Sequence, residues 1–171
     1  MKNLLVSCAL VLGSACASTE DSLEVVEADE SIRAPMFDAV AALEGRWVST
    51  TPYGEMVHVF EVTSSGSAVR ELMGPGTEHE MTNMYTLDGN SLTMTHYCGA
   101  GNQPFMRARA LDGDRLEFEA VSVRDLKDPA EHYMGAMTLV FLGEDHVEQH
   151  WTSIIGEDVA EMGVFDLRRD G

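Results

Sequence analysis

Cysteine is scarce in this sequence. There are three in 171 residues, at positions 8, 16 and 98. The first two fall in what reads as a leader, so Cys98 stands alone in the folded part and has no internal disulfide partner. Stability must come from a core. Positive charge is scarce as well: 11 lysines and arginines face 29 aspartates and glutamates, a formal charge of −18. Nucleic acid is excluded as a partner, because its phosphates would be repelled. A bilayer-length apolar run is missing too, since Leu4 to Leu12 is too short to span a membrane as a mature helix. What remains is a globular composition, 44% hydrophobic, on a chain sized for one domain with a real core.

The N-terminus reads as an export signal, residues 1–17, with Lys2 as its positive end and Leu4 to Leu12 as its apolar stretch. Two cleavage sites compete. Gly13-Ser14-Ala15 before Cys16 resembles a bacterial lipobox, except that Gly13 stands where leucine is usual; it would leave Cys16 lipidated and the protein tethered to a membrane. Ala15-Cys16-Ala17 instead suits cleavage after Ala17. Both imply an exported protein, periplasmic or an outer-membrane lipoprotein, and the lipobox is preferred because an acidic tether, residues 18–35, follows at once. That tether reads as a solvated spacer. Residues 36–171 form the domain.

From Gly45 onward, short β-rich runs alternate with Asp-Gly, Gly-Asp and Gly-Glu punctuation, most clearly at Asp88-Gly89, Asp112-Gly113, Gly143-Glu144 and Gly156-Glu157. Such pairs supply the positive φ of tight hairpins. Ten strands are expected, from Arg46–Thr51 to Val159–Arg169, preceded by a short helix near Phe37–Leu43. No βαβ spacing appears. Consecutive hairpins make an up-and-down meander, and closing it removes its edges. The expected fold is all-β, an antiparallel up-and-down barrel of roughly eight to ten strands.

A short helix followed by Gly45-Arg46-Trp47 resembles the G-x-W opening of the lipocalin-like (calycin) barrels, which implies that Trp47 packs across a closed barrel end. The run His96-Tyr97-Cys98 with Gly101-Asn102-Gln103-Pro104 and Met106, together with "HEM" at 79–81, "DP" at 128–129 and "DHVEQHW" at 145–151, resembles a family of small exported bacterial proteins expected to be lipocalin-like. The resemblance spans roughly Leu43 to Arg169 and implies fold and location. It carries no activity.

Hairpin register places the candidate site. With Asp88-Gly89 as the turn, Met81 faces His96, His79 faces Cys98 and Asn83 faces Met94, all on one side of the sheet. This side is the more apolar and should point inward. With Gly143-Glu144 as the next turn, Ala136 faces Trp151 and Met134 faces Ser153, and His132 shares that face. The expected ligand pocket is His79, Met81, Asn83, Met94, His96, Cys98, His132 and Trp151. Arg107 and Arg109 share a face with Leu116 and Phe118 if Asp112-Gly113 turns, which would place guanidinium groups inside, where they would suit a carboxylate ligand. His146, Glu148 and His150 fall outside, and the two histidines lie ~13 Å apart along a strand, too far for one ion.

Imidazoles, a thiol and methionines make a soft donor set that zinc, copper or haem iron accepts, so His79, His96 and Cys98 are the candidate metal ligands, although no cofactor is required. Buried histidines satisfied by neighbours explain the same pattern. Cys98 with a histidine base is a conceivable nucleophile, but the spacing matches no cysteine hydrolase signature and no inward carboxylate pair stands out. The leading reading is therefore a small-molecule binder, with apolar ligands favoured. Behind it stand a metal or haem barrel, then a non-catalytic envelope protein acting through its surface; an enzyme ranks below a binding module.

Overall fold

The computed structural model describes residues 28–51 and 54–171. The segment read as a leader, Cys16 with the expected cleavage site, and most of the segment read as a tether lie outside the described residues. A helix, α1 (Glu30–Ala41), comes first, then β1 (Gly45–Thr51), β2 (Gly54–Thr63), β3 (Ala68–Met73), β4 (Met81–Asp88), β5 (Ser91–Tyr97), β6 (Gln103–Ala108), the two-residue β7 (Leu111–Asp112), β8 (Arg115–Arg124), β9 (His132–Gly143), β10 (His146–Ile155) and β11 (Asp158–Arg169). Each strand pairs antiparallel with its neighbours in the order β6-β5-β4-β3-β2-β1-β11-β10-β9-β8, and β8 pairs back with β6. The result is a closed ten-stranded barrel with β7 appended to β8. Closure pairs every long edge, which a meander with this much apolar alternation needs in water.

Helix α1 begins at Glu30, inside the segment read as a tether. Asp29 caps it, accepting from the Ser31 backbone N–H at 2.9 Å and hydroxyl at 2.7 Å. Pro35, which suggested a boundary, sits within the helix. The Asp29 N–H also donates to Asn90 Oδ1 in the β4–β5 turn at 2.6 Å, so the helix is fastened to one end of the barrel, where Met36 and Val40 are buried. Trp47 lies beneath it, fully buried. Its Nε1 donates to the Leu43 carbonyl at 2.7 Å, and the Arg169 guanidinium stacks 4.3 Å from its ring centroid. Arg169 also donates to the carbonyls of Ala42 and Glu44 and to Asp145, so one cation–π contact and several hydrogen bonds join the helix exit, β1 and β11. Above this plug the barrel is solid: Phe60, Val69, Leu92, Met94, Met106, Leu116, Phe118, Met137, Leu139, Val147 and Leu167 fill it.

The registers differ from expectation in informative ways. The β4–β5 turn is Gly89-Asn90, not Asp88-Gly89, with Gly89 at φ +55°. The slip is two residues, so the same side chains face inward but their partners move: Asn83 lies opposite His96, and Tyr85 opposite Met94. In the β9–β10 pair, bulges between His146 and Val147 and between Thr152 and Ser153 put Met137 opposite Trp151, while Met134 stays opposite Ser153. On β6, Pro104, Met106 and Ala108 are buried and Arg107 points out, to Asp88 at 2.7 Å; Arg109 is exposed. No guanidinium from this pair enters the barrel. The break at Arg109-Ala110, between β6 and β7, sets the parity: Leu111 lies opposite Leu116, but Arg107 lies opposite Glu119.

Candidate functional site at the barrel end remote from the helix

Strand direction defines the other end. There β3 and β5 finish, β4 and β9 begin, and β10 passes into β11. A cavity of about 150 Å³ opens at this end, lined by Met73, Met81, His96, Met134, Trp151, Met162 and Phe165. These residues come from six different strands. The wall is two aromatic rings, four thioethers and one imidazole.

A polar layer lies between this cavity and the apolar core. Its centre is Glu71 on β3, fully buried. Oε1 accepts from His58 Nδ1 at 2.9 Å and Gln149 Nε2 at 2.7 Å; Oε2 accepts from Asn83 Nδ2 at 2.7 Å and the Tyr85 hydroxyl at 2.8 Å. Four donors meet the acceptor capacity of a carboxylate. Burial pushes the Glu71 carboxyl upward, but the His58 contact and the amide donors outweigh it and hold the group below its ordinary 4.5. Burial, then the Glu71 charge, pushes the Tyr85 hydroxyl well above its usual 10.

Because an ionised carboxylate only accepts, Glu71 orients everything around it. Asn83 must turn its amide nitrogen toward Glu71, which leaves Oδ1 facing β5. His96 Nδ1 lies 2.6 Å from that oxygen and therefore carries the proton and donates. In a neutral imidazole the other nitrogen, Nε2, then holds a lone pair. His96 is indeed held neutral: burial lowers its pKa from 6.5 to about 4, against an opposing pull from Glu71. Nε2 is buried and has no hydrogen-bond partner among the described residues, and His96 lines the cavity. Gln149 is oriented in the same way, its oxygen accepting from Trp151 Nε1 at 3.2 Å, and the Trp151 ring sits 4.8 Å from the His96 ring, centroid to centroid.

Ser49 Oγ lies 3.1 Å from His58 Nε2, so Ser49, His58 and Glu71 are strung like a hydroxyl–imidazole–carboxylate triad. All three are fully buried. Ser49 presents no surface to a substrate, and the carboxylate is shared among three further donors. The string works as internal bracing.

Of the residues singled out from sequence, the cavity brings together Met81, His96 and Trp151, with Asn83 directly behind His96. Met94 is in the solid core. His79 sits before β4, its side chain 79% exposed beside Glu78. Cys98 is half-buried in the turn after β5, where its Sγ accepts from the Ala100 N–H at 3.4 Å. His132 lines a separate polar depression with Asn102, Asp125, Lys127 and Glu131. A three-ligand set of His79, His96 and Cys98 is thus not assembled. His146 and His150 do face outward; His150 contacts Glu148 at 2.8 Å.

Glu71, His58 and Ser49 were not singled out. Their signal was present: Val69, Glu71 and Met73 alternate on one face of β3, and Met56, His58, Phe60 and Val62 on one face of β2. By register His58 lies opposite Met73 and Glu71 opposite Phe60, so the inward carboxylate and imidazole are diagonal neighbours within reach of each other. No family model matches the chain, and no curated protein does.

Proposed function

We propose that the chain is an exported lipocalin-like barrel, periplasmic or tethered to the outer membrane through Cys16, that binds a small ligand in the cavity at its helix-remote end without transforming it. One observation carries the reading: a neutral imidazole nitrogen, tautomerically fixed and unpartnered among the described residues, lines an otherwise apolar cavity. Burying such an acceptor costs on the order of 1–3 kcal/mol, and a ligand that engages it returns that cost. The cavity is smaller than the roughly 300–1,000 Å³ of ordinary ligand sites, so the ligand is single-ring sized or smaller, or projects into solvent.

The test pairs two probes of one shape. Phenol carries a donor for Nε2 and toluene does not. Chemical-shift titration should show tighter binding of phenol in the native chain and no preference in His96→Leu. Equal binding of both rejects the reading. A haem barrel has less support, because the cavity is far smaller than a porphyrin and the expected ligands stand apart. The surface-acting alternative keeps one observation: Ile155, Val159, Met162 and Val164 are exposed on the β10–β11 hairpin at this same end.

A further inference from the structure

We propose that the ligand class this cavity selects is a soft monovalent cation, copper(I) by chemistry, held by His96 Nε2 and the thioether sulfurs of Met73, Met81 and Met134, with Met162 at the rim. The inference rests on the reading that the cavity binds through His96 Nε2, and it names what is bound.

The donor set decides the class. Four methionines, from β3, β4, β9 and β11, meet one imidazole from β5 around a single cavity. Thioethers are poor ligands for magnesium, calcium or zinc, which take oxygen, imidazole or thiolate; they suit copper(I). Plain apolar filling would not require sulfur at four separate chain positions, and leucine fills core space with better-defined rotamers than methionine. The nitrogen is also prepared as a ligand. Metal-bound imidazoles typically donate their second N–H to an oriented acceptor, and the Glu71–Asn83–His96 relay provides this, with contacts of 2.7 and 2.6 Å. Charge sets the valence. No carboxylate or thiolate is in the described wall, so a buried dication would lack compensation. A single charge has Glu71 one amide away. Cys98 is not part of the set, because it does not line the cavity; Met73 does, its Sδ accepting from Asn83 Nδ2 at 3.6 Å.

The experiment uses the full chain with C8S, C16S and C98S, so that no thiol competes, under anaerobic conditions. Copper(I) is titrated against bicinchoninate, and tryptophan fluorescence is followed; zinc(II) is titrated in parallel. The expected result is one copper(I) per chain, quenching of fluorescence, and no comparable hold on zinc(II). H96L and the volume-conserving pair M81L/M134L should each weaken binding about tenfold or more, since even outer-sphere changes cost about 10–100-fold at metal sites, and the leucine pair should melt like the parent. Copper(I) binding that both variants leave unchanged, or zinc(II) held equally well, overturns the assignment. Absence of copper(I) binding while phenol still binds defeats the soft-cation assignment alone; absence of both defeats the cavity reading beneath it.

Discussion

One carboxylate organises the polar interior. Glu71 fixes the orientation of Asn83, Gln149 and His58, and through Asn83 the tautomer of His96. Glu71→Gln puts an N–H₂ where a donor already points, and leaves His58 without its anion. The expected cost is about 3–5 kcal/mol, the scale for breaking a buried charged contact, read from urea unfolding. A loss below about 1 kcal/mol, the scale of one net hydrogen bond, would mean that the network is not organised by this charge. His96 gives a pH signature. Its folded pKa, about 4, is below its ordinary 6.5, so between those values the unfolded chain binds a proton that the folded chain refuses. Stability is then full above 6.5 and falls as pH drops toward 4, by up to about 1.4 kcal/mol per pH unit. Glu71, held below 4.5, adds a further loss as pH falls through its lower folded value. Chemical denaturation across pH 4 to 7 should show this slope, and His96→Leu should flatten the part between 4 and 6.5; an unaltered slope would assign it to other groups.

At the scale of elements, the helix plug and the bulged hairpins position the cavity. Gly45 joins helix and barrel at φ +129°, and a Cβ there would lie 3.1 Å from Arg169 Nη1. Gly45→Ala therefore strains the backbone, at about 1–3 kcal/mol, and disturbs the cation over Trp47. A clear drop in melting temperature is expected, and Gly54→Ala, equally strained at φ +118° but in open space, should cost less; the reverse order would show that the Arg169 contact adds nothing. The same elements show how far sequence alone reaches. Alternation identified the inward faces of β4, β5 and β10 correctly, because the β4–β5 slip was an even number and preserved parity. It misplaced His79 because Glu78-His79-Glu80 is polar and exposed, and pairing starts only at Met81. It misplaced the arginines because the register changes parity at Arg109-Ala110, between the Leu111–Leu116 and Arg107–Glu119 pairs, and such a break leaves no mark in hydrophobic pattern. The convergence of Met73, Met134 and Met162 on His96 depends on which strands meet across the closed barrel, a long-range fact absent from any local window.

For the whole molecule, ring closure turns six strands' separate side chains into one cavity, and the acidic surface sets its conditions. A formal charge of −18 repels itself in the compact state. Raising ionic strength from about 0.01 to 0.15 M shortens the screening length from about 30 to 8 Å, so the melting temperature should rise; no change would mean that the surface pairs Arg46–Asp170, Arg70–Glu61 and Arg168–Asp166 already offset the repulsion. The function proposed for the whole chain nevertheless comes down to one nitrogen. Nitrogen-15 NMR of imidazole-labelled protein at neutral pH reads its state directly through long-range couplings to the ring protons. The expected result is His96 as the neutral Nδ1–H tautomer, with a bare Nε2 whose resonance moves when phenol or copper(I) is added. A His96 found protonated at Nε2, or as the imidazolium, would contradict the binding site and the relay that builds it.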